Sequence, residues 1–220
     1  ELANDLLRVI KKYGADKIAA FITEPLAGST GVLIPPKGYL ERIREICTEH
    51  DILLIFDEVI TGFGRLGAPF AAQYFNVEPD LITCAKGLTS GTVPMGAVMV
   101  KKEIYDAFQD RGPMVIDLFH GYTYSAHPLA AAALIATLDV YQEDELFKHA
   151  KEMSSYWEDA LHSLRDTKHV IDVRNLGLVA GVEMETRDGK PGVRGYDVFT
   201  DGFHNHNILL RFTGDTLALS

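Results

Sequence analysis

The sequence is poor in cysteine and lacks the spacings by which cysteines bind metals or carry out redox chemistry. Its two cysteines, Cys47 and Cys84, are scattered, and small buried side chains are the favoured interpretation of both. Thiols of this kind are typical of a reducing compartment, so we expect a cytoplasmic protein. His120 and His127 match no recognised metal motif, and we predict no metal site.

Long hydrophobic runs and an excess of basic residues are also missing. No apolar stretch is long enough to cross a bilayer, and no signal peptide is recognised. The net charge of −10 argues against non-specific nucleic-acid binding, which needs a basic face. With 47% hydrophobic and 24% charged residues among 220, the composition is that of a globular protein with one large domain or two small ones.

Strand and helix patterns alternate through the first part of the chain. A helical stripe ends at Gly14, a short strand follows at 18–22, and a second helical stripe at 39–47 leads to a strand at 52–56. This alternation predicts a parallel α/β sheet. A further buried strand is predicted at 95–100.

The second part of the chain has a different texture. Pro128 opens an Ala-rich helix, and a second helix is predicted at about 143–165. Short strands and one more helix near 196–206 follow, which predicts a smaller α+β unit. We therefore expect two domains, covering residues 1–135 and 136–220.

Two apolar runs end in charged residues. Ile52–Phe56 is followed by Asp57, and Leu81–Ala85 is followed by Lys86. Both runs look like strands covered on both faces, and functional groups gather at the carboxyl ends of such strands. Since a lone buried charge is unfavourable, each group is expected to have a partner. Either the two form a salt bridge, or a cofactor such as pyridoxal phosphate lies between them.

The ordered segments FDEVITGFGRLG, PDLITCAKGLTSG and PMGAV resemble the class III aminotransferases of the pyridoxal-phosphate (PLP) fold-type I superfamily. Within that family the chain is most similar to the ω-amino acid–pyruvate (β-alanine–pyruvate) group. The resemblance implies an α/β fold, with part of a large mixed or parallel-sheet domain and part of a small C-terminal α+β domain. It also implies a homodimer or a dimer-based tetramer with shared active sites.

The resemblance implies an enzymatic activity and a role in it for several residues of this chain. It implies that an ω-amino acid or primary amine donates its amino group to pyruvate. Lys86 matches the lysine that forms the Schiff base with pyridoxal 5'-phosphate and moves a proton. Asp57 matches the aspartate that faces the pyridine nitrogen, and Val59 matches the residue against the ring face. Arg211 matches the mobile arginine that binds the substrate carboxylate.

Four further residues have supporting roles in this interpretation. Thr123 matches the threonine that binds the cofactor phosphate from the neighbouring subunit, and Tyr122 lies beside it. Glu24 matches a glutamate on the approach to the cofactor, although a simple loop carboxylate is an alternative. Glu58 is expected to point to the opposite face and to support the site.

Other functions remain open at this point. Related class III enzymes act on taurine, diamines or GABA-like acids, or are aminomutases. The strand before Asp57 also resembles a Walker B strand, but no G-x-x-x-x-G-K-[ST] loop is present. Because the family's phosphate-cradling loop and the initiator methionine are both missing, we expect a central-to-C-terminal fragment. Such a fragment could be inactive by itself and serve only in dimerisation.

Overall fold

The fold contains two four-stranded sheets in the part of the chain that the structure describes. The structure is a computed structural model, and it describes residues 1–109, 115 and 118–220. Within these ranges, no helix is both long enough and apolar enough to span a membrane.

The first sheet is mixed. Its strands are β1 (Ala20–Thr23), β2 (Leu53–Asp57), β3 (Leu81–Cys84) and β4 (Ala97–Val100), in the order β1-β2-β3-β4. The first three strands are parallel, as the alternating sequence pattern predicts. Strand β4 runs antiparallel to β3. It was expected to be buried, but Val98 is 60% exposed, so that expectation is wrong.

Helices cover one face of this sheet. They are α1 (Asn4–Tyr13) and α2 (Tyr39–Glu49), while α3 (Ala71–Phe75) and α4 (Lys102–Gln109) follow β2 and β4. The predicted loop after α4 lies largely outside the described residues.

The core between these helices and the sheet is apolar and buried. Leu54 and Phe56 of β2 are completely buried against Ile43 and Ile46 of α2. Leu53, which points to the other face, is 38% exposed. In the described residues, β2 is therefore buried on one face, and the expectation of cover on both faces is not met.

The second sheet is antiparallel. It contains β5 (Val170–Leu176), β6 (Val179–Met184), β7 (Arg211–Thr213) and β8 (Thr216–Leu219), in the order β5-β6-β8-β7. Its helices are α5 (Pro128–Glu143), α6 (Leu146–His162) and α7 (Val193–His206). The boundary predicted at residue 136 falls within α5, so the proposed division into two domains stays a prediction.

Hydrogen bonds and apolar packing join the two sheets. Arg174 of β5 donates from Nε to the carbonyl oxygens of Gly31 at 3.2 Å and Val32 at 2.8 Å. The Leu178 amide donates to the carbonyl oxygen of Arg65 at 2.9 Å. An apolar cluster fills the space between them and contains Leu26, Val32, Leu66, Ala71 and Val179. The carboxyl edge of the first sheet is thereby placed beside the second sheet.

Candidate active site

Lys86 lies in a sharp turn directly after β3. It begins a short 3₁₀ turn, Lys86–Leu88, and its φ is +46°, in the left-handed region that non-glycine residues seldom adopt. Conformations of this kind concentrate at functional sites because the surrounding structure must hold them. The next residue, Gly87, could not carry a β-carbon, which would lie 2.7 Å from the β-carbon of Phe63. The turn that carries the lysine is therefore closely confined.

One cleft brings together two of the predicted site residues from different sheets. Lys86 and Arg211, the first residue of β7, both line a cleft of about 550 Å³. Val59 lines the same cleft. Both charged side chains are exposed in this chain, so the lysine is not the buried charge that the sequence led us to expect. Their shared cleft nevertheless offers an amine and a guanidinium to one small molecule.

Asp57 occupies the edge from which Lys86 projects. It is the last residue of β2 and pairs in register with Thr83 of the adjacent parallel strand β3. Its Oδ1 accepts a hydrogen bond from the Val59 amide at 3.1 Å. No ion pair among the described residues joins Asp57 to Lys86. A direct salt bridge, the simpler of the two alternatives, is therefore not what this structure contains.

Glu58 is completely buried and supports the segment that borders the cleft. Its Oε2 accepts hydrogen bonds from the Thr61 hydroxyl at 3.0 Å and from the Ala71 amide, and its Oε1 accepts one from the Ala72 amide at 2.8 Å. Burial raises the pKa of this carboxyl, although the three hydrogen bonds act in the opposite direction. The side chain thus ties the end of β2 to the start of α3.

The carboxylate of Glu24 bonds within its own loop. Its Oε2 accepts a hydrogen bond from the Gly28 amide at 3.1 Å. This contact closes the loop after β1 and favours the loop-carboxylate alternative for Glu24. Its predicted role near a cofactor stays a prediction.

Thr123 and Tyr122 lie away from the Lys86 cleft. They line a separate cleft of about 740 Å³ that also includes His120 and His127. The amide of Tyr122 donates to His120 Nδ1 at 3.1 Å, which keeps this histidine within its own segment. Across the described ranges, no group of three or more histidine, cysteine or acidic side chains could hold a metal ion.

Sequence reasoning missed an aromatic stack beside the lysine turn. Tyr141 of α5 lies between Phe63 and Phe147, with ring centroids 5.8 Å and 5.1 Å away. Its hydroxyl donates to the carbonyl oxygen of Gly87 at 2.7 Å. Tyr141 ends an Ala-rich helix and belongs to no motif, so only tertiary structure reveals this contact.

Comparisons with known proteins identify the family of the chain. Residues 1–219 match the family described as aminotransferase class-III. The omega-aminotransferase of Caulobacter vibrioides is 62% identical over 219 residues, which cover 100% of this chain and 50% of the relative. The beta-alanine–pyruvate aminotransferase of Pseudomonas aeruginosa is 50% identical over 223 residues, with 99% of this chain and 49% of the relative covered.

A solved structure shows the same fold. The omega transaminase of Pseudomonas jessenii, crystallised in complex with PMP, has a TM-score of 0.93 and 34% identity, over 99% of this chain and 49% of that one. The chain spans about half the length of the curated relatives it matches. The predicted family and fold class are confirmed. The chain belongs to the class-III aminotransferase family.

Proposed function

We propose that the intact protein is a PLP-dependent transaminase that moves an amino group from an ω-amino acid or a primary amine to pyruvate. The observation that carries this proposal is the shared cleft of Lys86 and Arg211, which come from separate sheets. The proposal is supported by the names of the relatives, which include an omega-aminotransferase and a beta-alanine–pyruvate aminotransferase.

Residues of the cleft, together with Asp57 at the adjoining sheet edge, suit PLP chemically. A primary amine at Lys86 can bond an aldehyde, and a carboxylate at Asp57 can face a cationic ring nitrogen. Val59 offers an apolar side chain in the same cleft. Gly62 and Gly87 also line the cleft, and a β-carbon at either position would collide with the protein behind it. When bound, PLP supplies an electron sink for the negative charge that develops on the substrate carbon.

Lys86 has the acid–base role in this proposal. Its Nζ takes a proton from the substrate carbon and later returns a proton to the reacting molecule. A side-chain amine can act as acid and base only where it reaches the atom whose proton it moves. The confined turn after β3 holds the lysine backbone in one conformation while its amine does this work.

Arg211 binds the carboxylate of the amino donor or of pyruvate. A planar guanidinium binds a carboxylate through two parallel hydrogen bonds, which orients the substrate as well as attracting it. Asp57 would hold a negative charge for the cationic ring nitrogen of PLP. At an effective dielectric of about 20, a pair of unit charges ~4 Å apart interacts by about 4 kcal/mol before desolvation.

Thr123 and Tyr122 are proposed to serve the active site of a neighbouring subunit. Their place in a second cleft, apart from Lys86, supports this assignment. A homodimer or a dimer-based tetramer follows from it. Glu24 is proposed to act near the cofactor through the loop that it closes, and the two scattered thiols support a proposed cytoplasmic location.

Chemical labelling of the intact protein tests the function. We expect a visible absorbance band with PLP, its loss on adding borohydride, and a PLP adduct on Lys86 in the digested protein. Lys86→Ala should give neither band nor adduct, and Lys102→Ala, at an exposed helix position, should give both. Absence of the Lys86 adduct in the unsubstituted protein contradicts the proposal.

An amine-donor panel tests the substrate class. β-Alanine, primary amines, taurine, diamines and GABA are each offered with pyruvate and with 2-oxoglutarate. We expect the highest kcat/KM for β-alanine-like donors with pyruvate. A preference for GABA would instead favour the activity named for the rice gamma-aminobutyrate transaminase 1, which is 39% identical.

A further inference from the structure

We propose that Tyr141 is a positioning residue that holds the turn carrying Lys86 from the side of the second sheet. The inference rests on the proposed function, because it concerns the lysine assigned there to the chemistry. It names a residue that no motif of the sequence predicts.

Tyr141 donates a short hydrogen bond to this turn from a distant part of the chain. Its hydroxyl donates to the Gly87 carbonyl oxygen at 2.7 Å. The bonds within the turn are longer, with the Leu88, Thr89 and Ser90 amides 3.0, 3.4 and 3.3 Å from their acceptors. The Leu88 bond is of ordinary length and the other two are long. The Thr89 hydroxyl supports the end of the turn by donating to the Val93 carbonyl oxygen at 2.6 Å. Tyr141 adds the donor that reaches Gly87, the residue next to the left-handed lysine.

The ring of Tyr141 is held independently of its hydroxyl. It stacks on Phe63 at an interplanar angle of 16° and on Phe147 at 26°. Burial raises the pKa of the Tyr141 phenol, with the charge of Arg65 opposing this, so the hydroxyl stays protonated and able to donate. A phenylalanine at this position would keep the stack and remove only the hydrogen bond.

The hydrogen bond from Tyr141 to Gly87 links the turn of Lys86 to the part of the chain that carries Arg211. Tyr141 lines the cleft of Lys86 and Arg211, and it belongs to α5, which leads into the second sheet. The turn that carries the lysine is thus tied to the part of the chain that carries the arginine. The lysine amine is held in place relative to a substrate that Arg211 binds.

Tyr141→Phe tests the proposal against Tyr156→Phe, an exposed tyrosine of α6 that serves as the matched control. Because small misplacements of a reacting group reduce rates strongly, we expect kcat to fall about tenfold. The KM for the amino donor should change less than about twofold, since Arg211 is untouched. Hydrogen exchange at the Leu88, Thr89 and Ser90 amides should become faster, while the thermal unfolding midpoint stays near that of the control.

The outcomes are decisive. If Tyr141→Phe matches Tyr156→Phe in both kcat and amide exchange, the proposal is overturned. Tyr141→Leu, which removes the ring as well as the hydroxyl, should lower both kcat and the unfolding midpoint. If Tyr141→Phe also lowers kcat only together with the midpoint, Tyr141 is merely structural and the proposal is again overturned. Labelling of Lys86 in the unsubstituted protein tests the proposed function separately. If that labelling fails, amide exchange in Tyr141→Phe still decides whether the hydroxyl holds the turn.

Discussion

Gly87 lies so close to Phe63 that a β-carbon at position 87 would sit 2.7 Å from the Phe63 β-carbon and 3.1 Å from its Cγ and Cδ2 atoms. Phe63 cannot easily move away, because its ring packs against Phe70 at 5.2 Å and Tyr141 at 5.8 Å. The glycine after the lysine is therefore required by close packing in the turn.

Gly87→Ala should disturb the turn and the labelling of Lys86. Overpacking of a tight site destabilises proteins by about 1–3 kcal/mol, and here the strain falls directly beside the lysine. We expect a lower thermal unfolding midpoint and slower borohydride fixation of PLP. Gly96→Ala is the control for stability, because its β-carbon would lie 3.6 Å from the Cys84 carbonyl oxygen, an ordinary contact. Equal midpoints for the two variants would contradict the packing argument.

Glu58→Ala should destabilise the fold, because it removes the side chain that accepts three hydrogen bonds. The Thr61 hydroxyl and the Ala71 and Ala72 amides would each lose this acceptor. An unsatisfied buried donor costs about 1–3 kcal/mol. The measurement is denaturant unfolding from pH 4 to pH 8, and Glu41→Ala, at an exposed position of α2, should change little.

The pH dependence of Glu58 has a definite sign. Burial raises its folded-state pKa, so the folded protein holds this proton more tightly than the unfolded chain does. Its contribution is fully present below the ordinary value of ~4.3 and is lost as the pH rises through the raised value. The difference in the free energy of unfolding between the native protein and Glu58→Ala should shrink with rising pH. A difference that widens would overturn this assignment.

Asp215→Ala should loosen α7 from the β7–β8 turn. The buried carboxylate accepts from the Gly192 amide at 3.1 Å, the Gly195 amide at 3.0 Å and the Thr186 hydroxyl at 3.1 Å. Loss of a helix cap costs about 0.5–2 kcal/mol. Asp201→Ala, on the exposed end of the same helix, should change the unfolding free energy by less than about 0.5 kcal/mol.

Asp215 also makes the free energy of unfolding depend on pH in the acid range. Burial alone would raise its pKa, but the Gly195 and Gly192 amides and the Thr186 hydroxyl together hold it below the ordinary value. Its contribution is present above the unfolded pKa of ~3.9 and is lost as the pH falls through the lower folded value. Urea unfolding of the native protein and Asp215→Ala should therefore converge in strong acid. Curves that stay apart at the lowest pH would contradict the role of this carboxylate.

Arg211→Gln should separate substrates by charge. Loss of a charged hydrogen bond to a carboxylate is expected to raise the KM for β-alanine and pyruvate by ten- to a hundredfold, or about 1.5–3 kcal/mol. The KM for a primary amine without a carboxylate should change less than threefold. Steady-state kinetics on both donors supply the comparison. A uniform effect on both donors would mean that Arg211 does not bind the carboxylate.

Much of the fold follows from the sequence because its signals are local. Gly14 ends α1, as the helical stripe predicts, and its amide donates to the Ile10 carbonyl oxygen at 2.8 Å. Pro128 begins α5, again as predicted. The direction and exposure of β4 could not be read in this way, because an apolar run does not specify its neighbour or what covers it.

In the candidate site, too, local motifs could be predicted from the sequence and long-range contacts could not. The motifs around Lys86 and Asp57 predict one sheet edge, and the structure places both residues there. The contact between Tyr141 and Gly87 joins residues 54 positions apart and leaves no local pattern. The separation of Thr123 from the Lys86 cleft likewise depends on how the chain packs.

The loop after β2 packs against α6 with very little free space beside the cleft. A β-carbon on Gly64 would lie 2.9 Å from Phe147 Cδ1, and one on Gly67 would lie 2.9 Å from the Lys151 Cα. On the proposed function, this close packing helps to set the distance between the reacting amine and the guanidinium. The carbon-chain length that the enzyme prefers would then depend in part on Gly67, which does not line the cleft.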